Sequence, residues 1–188
     1  MGRWQPGAQG RLQQAALELF AERGFDATTV VEIAERAGVT ERTFFRHFAD
    51  KREVLFDGGD ILEKAFTEAV RDAPDGTPVL ELVRRALDAA GALLQEDRGL
   101  DLARSRAGVV ASHPALLERE RHKMSSLADA LSGALVARGC DQLPARLAGS
   151  LTIAVFSDSF ARWVGGEGGD LVALQRDALN TARELFSP

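Results

Sequence analysis

The chain has 188 residues, of which 45% are apolar, and its six prolines leave long stretches free to coil into helices around a buried core. A net charge of −5 argues against an indiscriminate polyanion binder, and the lone Cys140 excludes an internal disulfide framework and fits a reducing cytoplasm. The longest apolar run, residues 148–164, is interrupted by Ser150, Asp158 and Arg162, which makes it a poor membrane span, and Met1–Pro6 lacks the apolar heart of a secretion signal.

A first helix is predicted over residues 9–23, with Leu12, Ala16, Leu19 and Phe20 recurring on one face and Gly24 ending it. Thr29-Val30-Val31-Glu32 reads as a capping box that starts a short second helix, buried through Val30, Ile33, Ala34 and Ala37 and stopped by Gly38. Thr40 caps a third helix from Glu41 to about Phe48. A longer helix is predicted from Asp50 to Ala69, followed by the loop Pro74-Asp75-Gly76-Thr77-Pro78. Helices are then expected over 79–96, 100–111, 115–138, 143–164 and 171–186. The fold class is all-α.

The tight turn Ala37-Gly38-Val39-Thr40 forces the second and third helices to cross at an angle, the arrangement in which a second helix can enter a major groove. Phe44 and Phe48 lie one turn apart and pin one face of the third helix to the core. At about 100° per residue, Arg42 and Arg46 point away from that face, with Thr43 and Phe45 on its flanks. Such a surface can meet guanine edges, thymine methyls and phosphates, while Glu41 could accept from cytosine or merely cap the helix. Residues 1–56 hold eight basic and eight acidic side chains, against 15 and 20 in the remainder, so the acidity lies beyond this segment.

The run Ala16-Leu17-Glu18-Leu19-Phe20-Ala21-Glu22-Arg23-Gly24-Phe25 leads through Thr28-Thr29-Val30 and Ile33-Ala34 to Gly38-Val39-Thr40, Thr43–Phe48 and Lys51. Over about residues 8–56, without a gap, this pattern resembles the DNA-binding domain of the TetR family. The resemblance implies that Thr29, Thr40, His47 and Lys51 hold phosphates and that Arg42, Thr43 and Phe45 occupy base-reading positions. Members often carry Tyr-Tyr where this chain has Phe45-Arg46. The phenolic backbone contacts are thus absent, and Arg46 offers a charged contact in place of one of them.

The resemblance further implies a DNA-binding domain over residues 1–56 and a helical ligand-binding and dimerisation domain over 57–188. Its expected partners are a double-stranded palindromic operator, a second copy of the chain and a small-molecule effector. The expected role is that of a repressor released by a mainly apolar effector, with a helical adaptor, or an activator without a ligand, as the alternative. Leu171, Leu174, Ala178 and Leu185 form one stripe of the last helix, and Val172, Leu179 and Phe186 form a second. One stripe is expected to face its own subunit and the other a partner, in a four-helix interface with Trp163 at its base. By helical phase, Phe66, Leu94, Leu102, Arg106, Val109, Phe156 and Phe160 face inward as candidate effector contacts, although residues so placed are more often core than ligand contacts. Either Arg104 or Arg106 could neutralise an acidic ligand or pair with a neighbouring carboxylate, and His113 reads as a turn residue. His47, His113 and His122 are far apart, and the glycine run at 165–169 lacks the lysine of a phosphate loop, so neither an enzyme, a metal site nor a cofactor is expected.

Overall fold

The computed structural model describes residues 7–97 and 99–185, with ten α-helices and no strand among the described residues. They are α1 (Ala8–Arg23), α2 (Val30–Arg36), α3 (Glu41–His47), α4 (Glu53–Phe56), α5 (Gly59–Arg71), α6 (Val79–Asp97), α7 (Gly99–Ser112), α8 (Pro114–Ala137), α9 (Gln142–Gly165) and α10 (Leu171–Leu185). The fold is all-α, and its first three helices form the helix-turn-helix unit that the sequence indicates. The reading of Met1–Pro6 as lacking a secretion signal, and the stripe residue Phe186, lie outside the described residues.

Two compact units emerge: one runs to Asp57 and takes in Ser105–Glu120, and the other comprises Gly58–Arg104 and the chain from Arg121 onward. In the first unit, Leu12, Ala16, Leu19 and Phe20 of α1 are buried, as the periodicity requires, together with Ile33 and Ala34 of α2 and Phe44 of α3. Gly24, at φ +85°, ends α1 with its amide donating to the Phe20 carbonyl at 2.9 Å. The capping box is complete: the Glu32 amide donates to the Thr29 hydroxyl at 3.2 Å, and the Thr29 amide to the Glu32 carboxylate at 2.8 Å. The hydrogen bond from the Thr29 amide holds the Glu32 carboxyl below its ordinary pKa.

The single helix expected over 50–69 is instead two. Asp50 stays outside as a cap, its carboxylate accepting from the amides of Arg52 at 2.7 Å and Glu53 at 3.2 Å. The short α4 then stops at Asp57, because Gly58 adopts φ +84°, a left-handed conformation that costs glycine little and ends a helix. Apolar phase continues across that break, which is why periodicity alone joins the two segments.

The stretch 105–120 adds polar ties to the first unit. The Arg106 guanidinium donates to the Leu55 carbonyl at 2.7 Å and to the Glu120 carboxylate at 2.6 and 3.3 Å, and lies 5.4 Å from the Phe56 ring. Arg119 pairs with Glu53 and covers the same ring at 4.9 Å. His113 is more than a turn residue: its Nε2 lies 3.1 Å from Asp26, and its ring meets Phe25 edge-on at 5.0 Å.

In the second unit α5 packs on α6, and α10 packs on α6 and α9. One apolar cluster gathers Phe66, Leu87, Leu131 and Phe156, with Leu179 from α10; a second gathers Ala103, Trp163, Leu171 and Leu174. The expectation of one α10 stripe inward and one outward is corrected here. Leu171, Leu174 and Leu179 are all buried inside their own subunit, and Val172 lies against Gly91 of α6. Trp163 is likewise 6% exposed within its own subunit's core rather than at the base of an interface. The two stripes sit on adjacent flanks of one broad apolar face, and the opposite face of α10 carries Ala173, Arg176, Asp177, Asn180 and Arg183.

Candidate nucleic-acid interface

The third helix is held by its inner side only. Phe44 is fully buried and Phe48 nearly so, with ring centroids 5.5 Å apart. The Thr40 hydroxyl accepts from the Thr43 amide at 3.2 Å and lies 3.0 Å from the Thr43 hydroxyl, which fixes the first turn. The opposite side carries Glu41, Arg42, Phe45, Arg46 and His47, all exposed. Phe45 is 52% exposed although it rests edge-on against Phe44 at 5.5 Å. Glu41, Arg42 and Arg46 form no side-chain hydrogen bond or ion pair among the described residues. One short helix therefore presents two guanidinium groups without a hydrogen-bond or ion-pair partner among the described residues, beside an exposed aromatic ring and an exposed imidazole, with the exposed Thr29 opening the preceding helix.

Lys51 is placed differently from the phosphate-binding role that the resemblance implies. Its ammonium donates to the carbonyls of Phe25 at 2.7 Å, Thr28 at 2.9 Å and Asp26 at 3.2 Å, and stands 4.5 Å above the Phe25 ring. An ammonium has three N–H donors, and all three are occupied inside the chain. Lys51 thus ties down the α1–α2 connection. Lys51→Ala strands these carbonyls, and a loss of about 1–3 kcal/mol of stability is expected in a denaturant titration. A variant as stable as the parent would return the lysine to the DNA surface.

The seven effector candidates divide. Arg106 and Val109 belong to the first unit, and the Arg106 guanidinium is committed to Leu55 and Glu120, so it does not orient a ligand in the second unit. Phe66, Leu94, Leu102, Phe156 and Phe160 belong to the second. Phe66 meets Phe156 edge-on at 5.3 Å, Phe156 stacks with Phe160 at 6.1 Å, and Phe160 touches Trp163 at 6.0 Å, an aromatic ladder through the core. Leu94 packs against both apolar clusters, and Leu102 is half-buried. An open groove elsewhere in this unit, lined by Thr67, Arg71, Gly133 and Arg138 among others, includes none of the candidates. Arg104 donates to the Val164 carbonyl at 2.7 Å.

Sequence reasoning missed the Asp50 cap and the His113–Asp26 contact, and it anticipated a carboxylate partner for Arg106 without identifying Glu120. Asp57-Gly58 was a legible turn signal; the two long-range pairs, 14 and 87 residues apart in sequence, had none.

Comparison with known proteins follows the same division. The family described as "Bacterial regulatory proteins, tetR family" matches residues 12–57, from the second turn of α1 through α4. The HTH-type transcriptional regulator TcmR of Streptomyces glaucescens is 34% identical over 134 residues, covering 68% of this chain and 58% of TcmR. The HTH-type transcriptional repressor KstR2 of Mycobacterium tuberculosis is 45% identical over 73 residues, 37% of this chain and 34% of KstR2. The chain thus matches less than two thirds of the length of these relatives. Among solved structures, the Thermus thermophilus FadR repressor in complex with lauroyl-CoA aligns at a TM-score of 0.58 and 26% identity, over 96% of this chain and 95% of that one. No described helix is long and apolar enough to cross a membrane. The relatives are transcriptional regulators and not enzymes. With its helix-turn-helix matched throughout and the helical fold shared along nearly its whole length, the chain belongs to the TetR family of bacterial regulatory proteins.

Proposed function

We infer that the chain is a cytoplasmic transcriptional repressor that binds a palindromic operator as a homodimer and leaves it when a small, mainly apolar effector binds. In this reading residues 1–56 bind DNA, and residues 57–188 hold the effector and the dimer contact. The observation that carries it is the outward face of α3, where Arg42 and Arg46 stand without internal partners beside an exposed Phe45. Arg42 and Thr43 then read base edges, Phe45 meets a thymine methyl, and Glu41 accepts from cytosine. Arg46, His47, Thr29 and Thr40 hold phosphates. The effector reading draws support from the structural relative that carries lauroyl-CoA, a ligand with a long apolar chain.

Arg42→Ala and Arg46→Ala separate the two kinds of contact. Removing Arg42 is expected to cost about 1–3 kcal/mol and to relax specificity at one position. Removing Arg46 weakens all sequences alike and lowers the salt slope by about one. Fluorescence anisotropy over a salt series checks both, and two variants with parental affinity would refute the DNA-binding face.

The homodimer reading is supported by α9. Leu143, Leu147, Ser150, Ala154, Ser157 and Ala161 recur at alternating spacings of four and three along its exposed side, with Leu143 56% and Leu147 61% exposed. Apolar and small side chains in this pattern let a second helix approach closely along the whole seam.

A further inference from the structure

The second unit contains buried polar atoms that its own side chains do not satisfy. Gln175 of α10 is fully buried, and neither its amide nitrogen nor its oxygen has a hydrogen-bond partner; the fully buried Ser159 hydroxyl of α9 has none either. Thr152, the other buried polar residue of this unit, is satisfied, since it donates to the Ala148 carbonyl at 2.7 Å. An unpaired amide in an apolar core is strongly unfavourable, and such groups are rare in folded chains.

Each residue lies, along its own helix, between members of the two apolar clusters. On α10, Gln175 lies between Leu171 and Leu174 of one apolar cluster and Leu179 of the other; on α9, Ser159 lies between Phe156 of one and Trp163 of the other. Leu94, which packs against both clusters, marks the same seam on α6. Gly91 stands one turn before Leu94, and a Cβ there would come within 2.4 Å of the Gln175 amide oxygen and 2.9 Å of Val172. Glycine inside a helix is itself unfavourable, so α6 gives up stability where it makes room for this amide.

We propose that this seam is the effector subsite, and that it selects an uncharged, mainly apolar molecule whose hydrogen-bonding group is received by Gln175 and Ser159. The proposal rests on the effector reading above and narrows its chemistry. The amide offers both a donor and an acceptor, and the hydroxyl does the same, so together they suit a neutral hydroxyl, carbonyl or amide. They provide no countercharge for a carboxylate. Among the described residues no charged side chain is buried in this unit, and Arg106 is tied up in the first. The aromatic ladder Phe66–Phe156–Phe160–Trp163 supplies the apolar wall, which favours a flat ring system. Binding exchanges cluster-to-cluster packing for ligand contacts and pairs the stranded amide, so the ligand selects a state in which the seam has parted.

The test uses 2-naphthol and 2-naphthoate at neutral pH, two probes of similar shape of which only the second is charged. Calorimetric titration of the full chain is expected to show naphthol binding at least tenfold tighter than naphthoate. Gln175→Met keeps length without the amide, and is expected to lower naphthol affinity about three- to tenfold while raising the melting temperature of the free protein. Ser159→Ala is expected to weaken naphthol binding in the same direction, and carries the test if the first variant fails to fold. Equal binding of the two probes, absent naphthol binding at millimolar concentration, or naphthol affinity unchanged in both variants would overturn the proposal. Naphthol bound at the seam without operator release refutes the effector reading alone. Operator release that is indifferent to both substitutions refutes the seam alone.

Discussion

Leu147→Glu is expected to turn a dimer into a monomer of 20.3 kDa and to reduce operator affinity by on the order of 10³-fold, toward the nonspecific level. Leu147 is 61% exposed on α9, so the substitution removes little from the subunit's own core. At a two-fold interface each copy contributes the same residue, so two carboxylates enter the contact for every pair of chains. A single helix-turn-helix then meets only one half-site, and the second recognition helix no longer arrives one helical turn away as part of the same body. Light scattering reads the mass and anisotropy reads the affinity. A variant that remains dimeric with parental binding would remove α9 from the interface. Leu179→Glu is the control: it buries a charge among its own subunit's side chains and lowers stability whatever the oligomeric state.

The second large effect lies in the short helix itself. Phe44→Ala is expected to destabilise the first unit by about 3–5 kcal/mol, because a fully buried ring is lost and neighbours held by short helices cannot refill the space. Phe44 contacts Phe45 and Phe48, so the cavity undermines the helix that presents Arg42 and Arg46. α3 has only seven residues and cannot hold its shape alone. DNA binding should disappear well below the temperature at which the second unit melts. Phe45→Ala separates packing from recognition, since it truncates a ring 52% exposed and should leave the melting temperature nearly unchanged. A Phe44→Ala protein with the parental melting curve would contradict the burial on which the helix depends.

Nearly every helix was legible in the sequence, and the reasons are local. The capping box at Thr29–Glu32, the cap at Thr40 and the glycines at 24 and 38 act within a few residues, so their positions follow from the chain order. The outward face of α3 was legible for the same reason, since a helix of known start and phase has a known outward side. Periodicity failed where two helices share a phase, as at Gly58, and where a broad apolar face resembles two separate faces, as on α10. The three carbonyl contacts of Lys51, which the resemblance reads as a phosphate ligand, were not legible either, because their partners lie 23 to 26 residues earlier. The Arg106–Glu120 pair and the buried Gln175 depend on which helices become neighbours, and that is a property of tertiary packing alone.

The division of labour within α3 bears on how such a chain diverges after its gene is copied. Stability of the helix-turn-helix resides chiefly in Phe44, Phe48 and the Thr40 cap, whereas Arg42 and Arg46 are exposed and the half-exposed Phe45 adds only an edge contact to Phe44. Replacements at those three positions are therefore nearly silent in folding, and selection on them is free to follow the DNA partner alone. A duplicate can drift to a new target through single substitutions, each leaving a folded intermediate. Grafting another member's outward residues onto this framework should accordingly redirect it without a rescue mutation elsewhere.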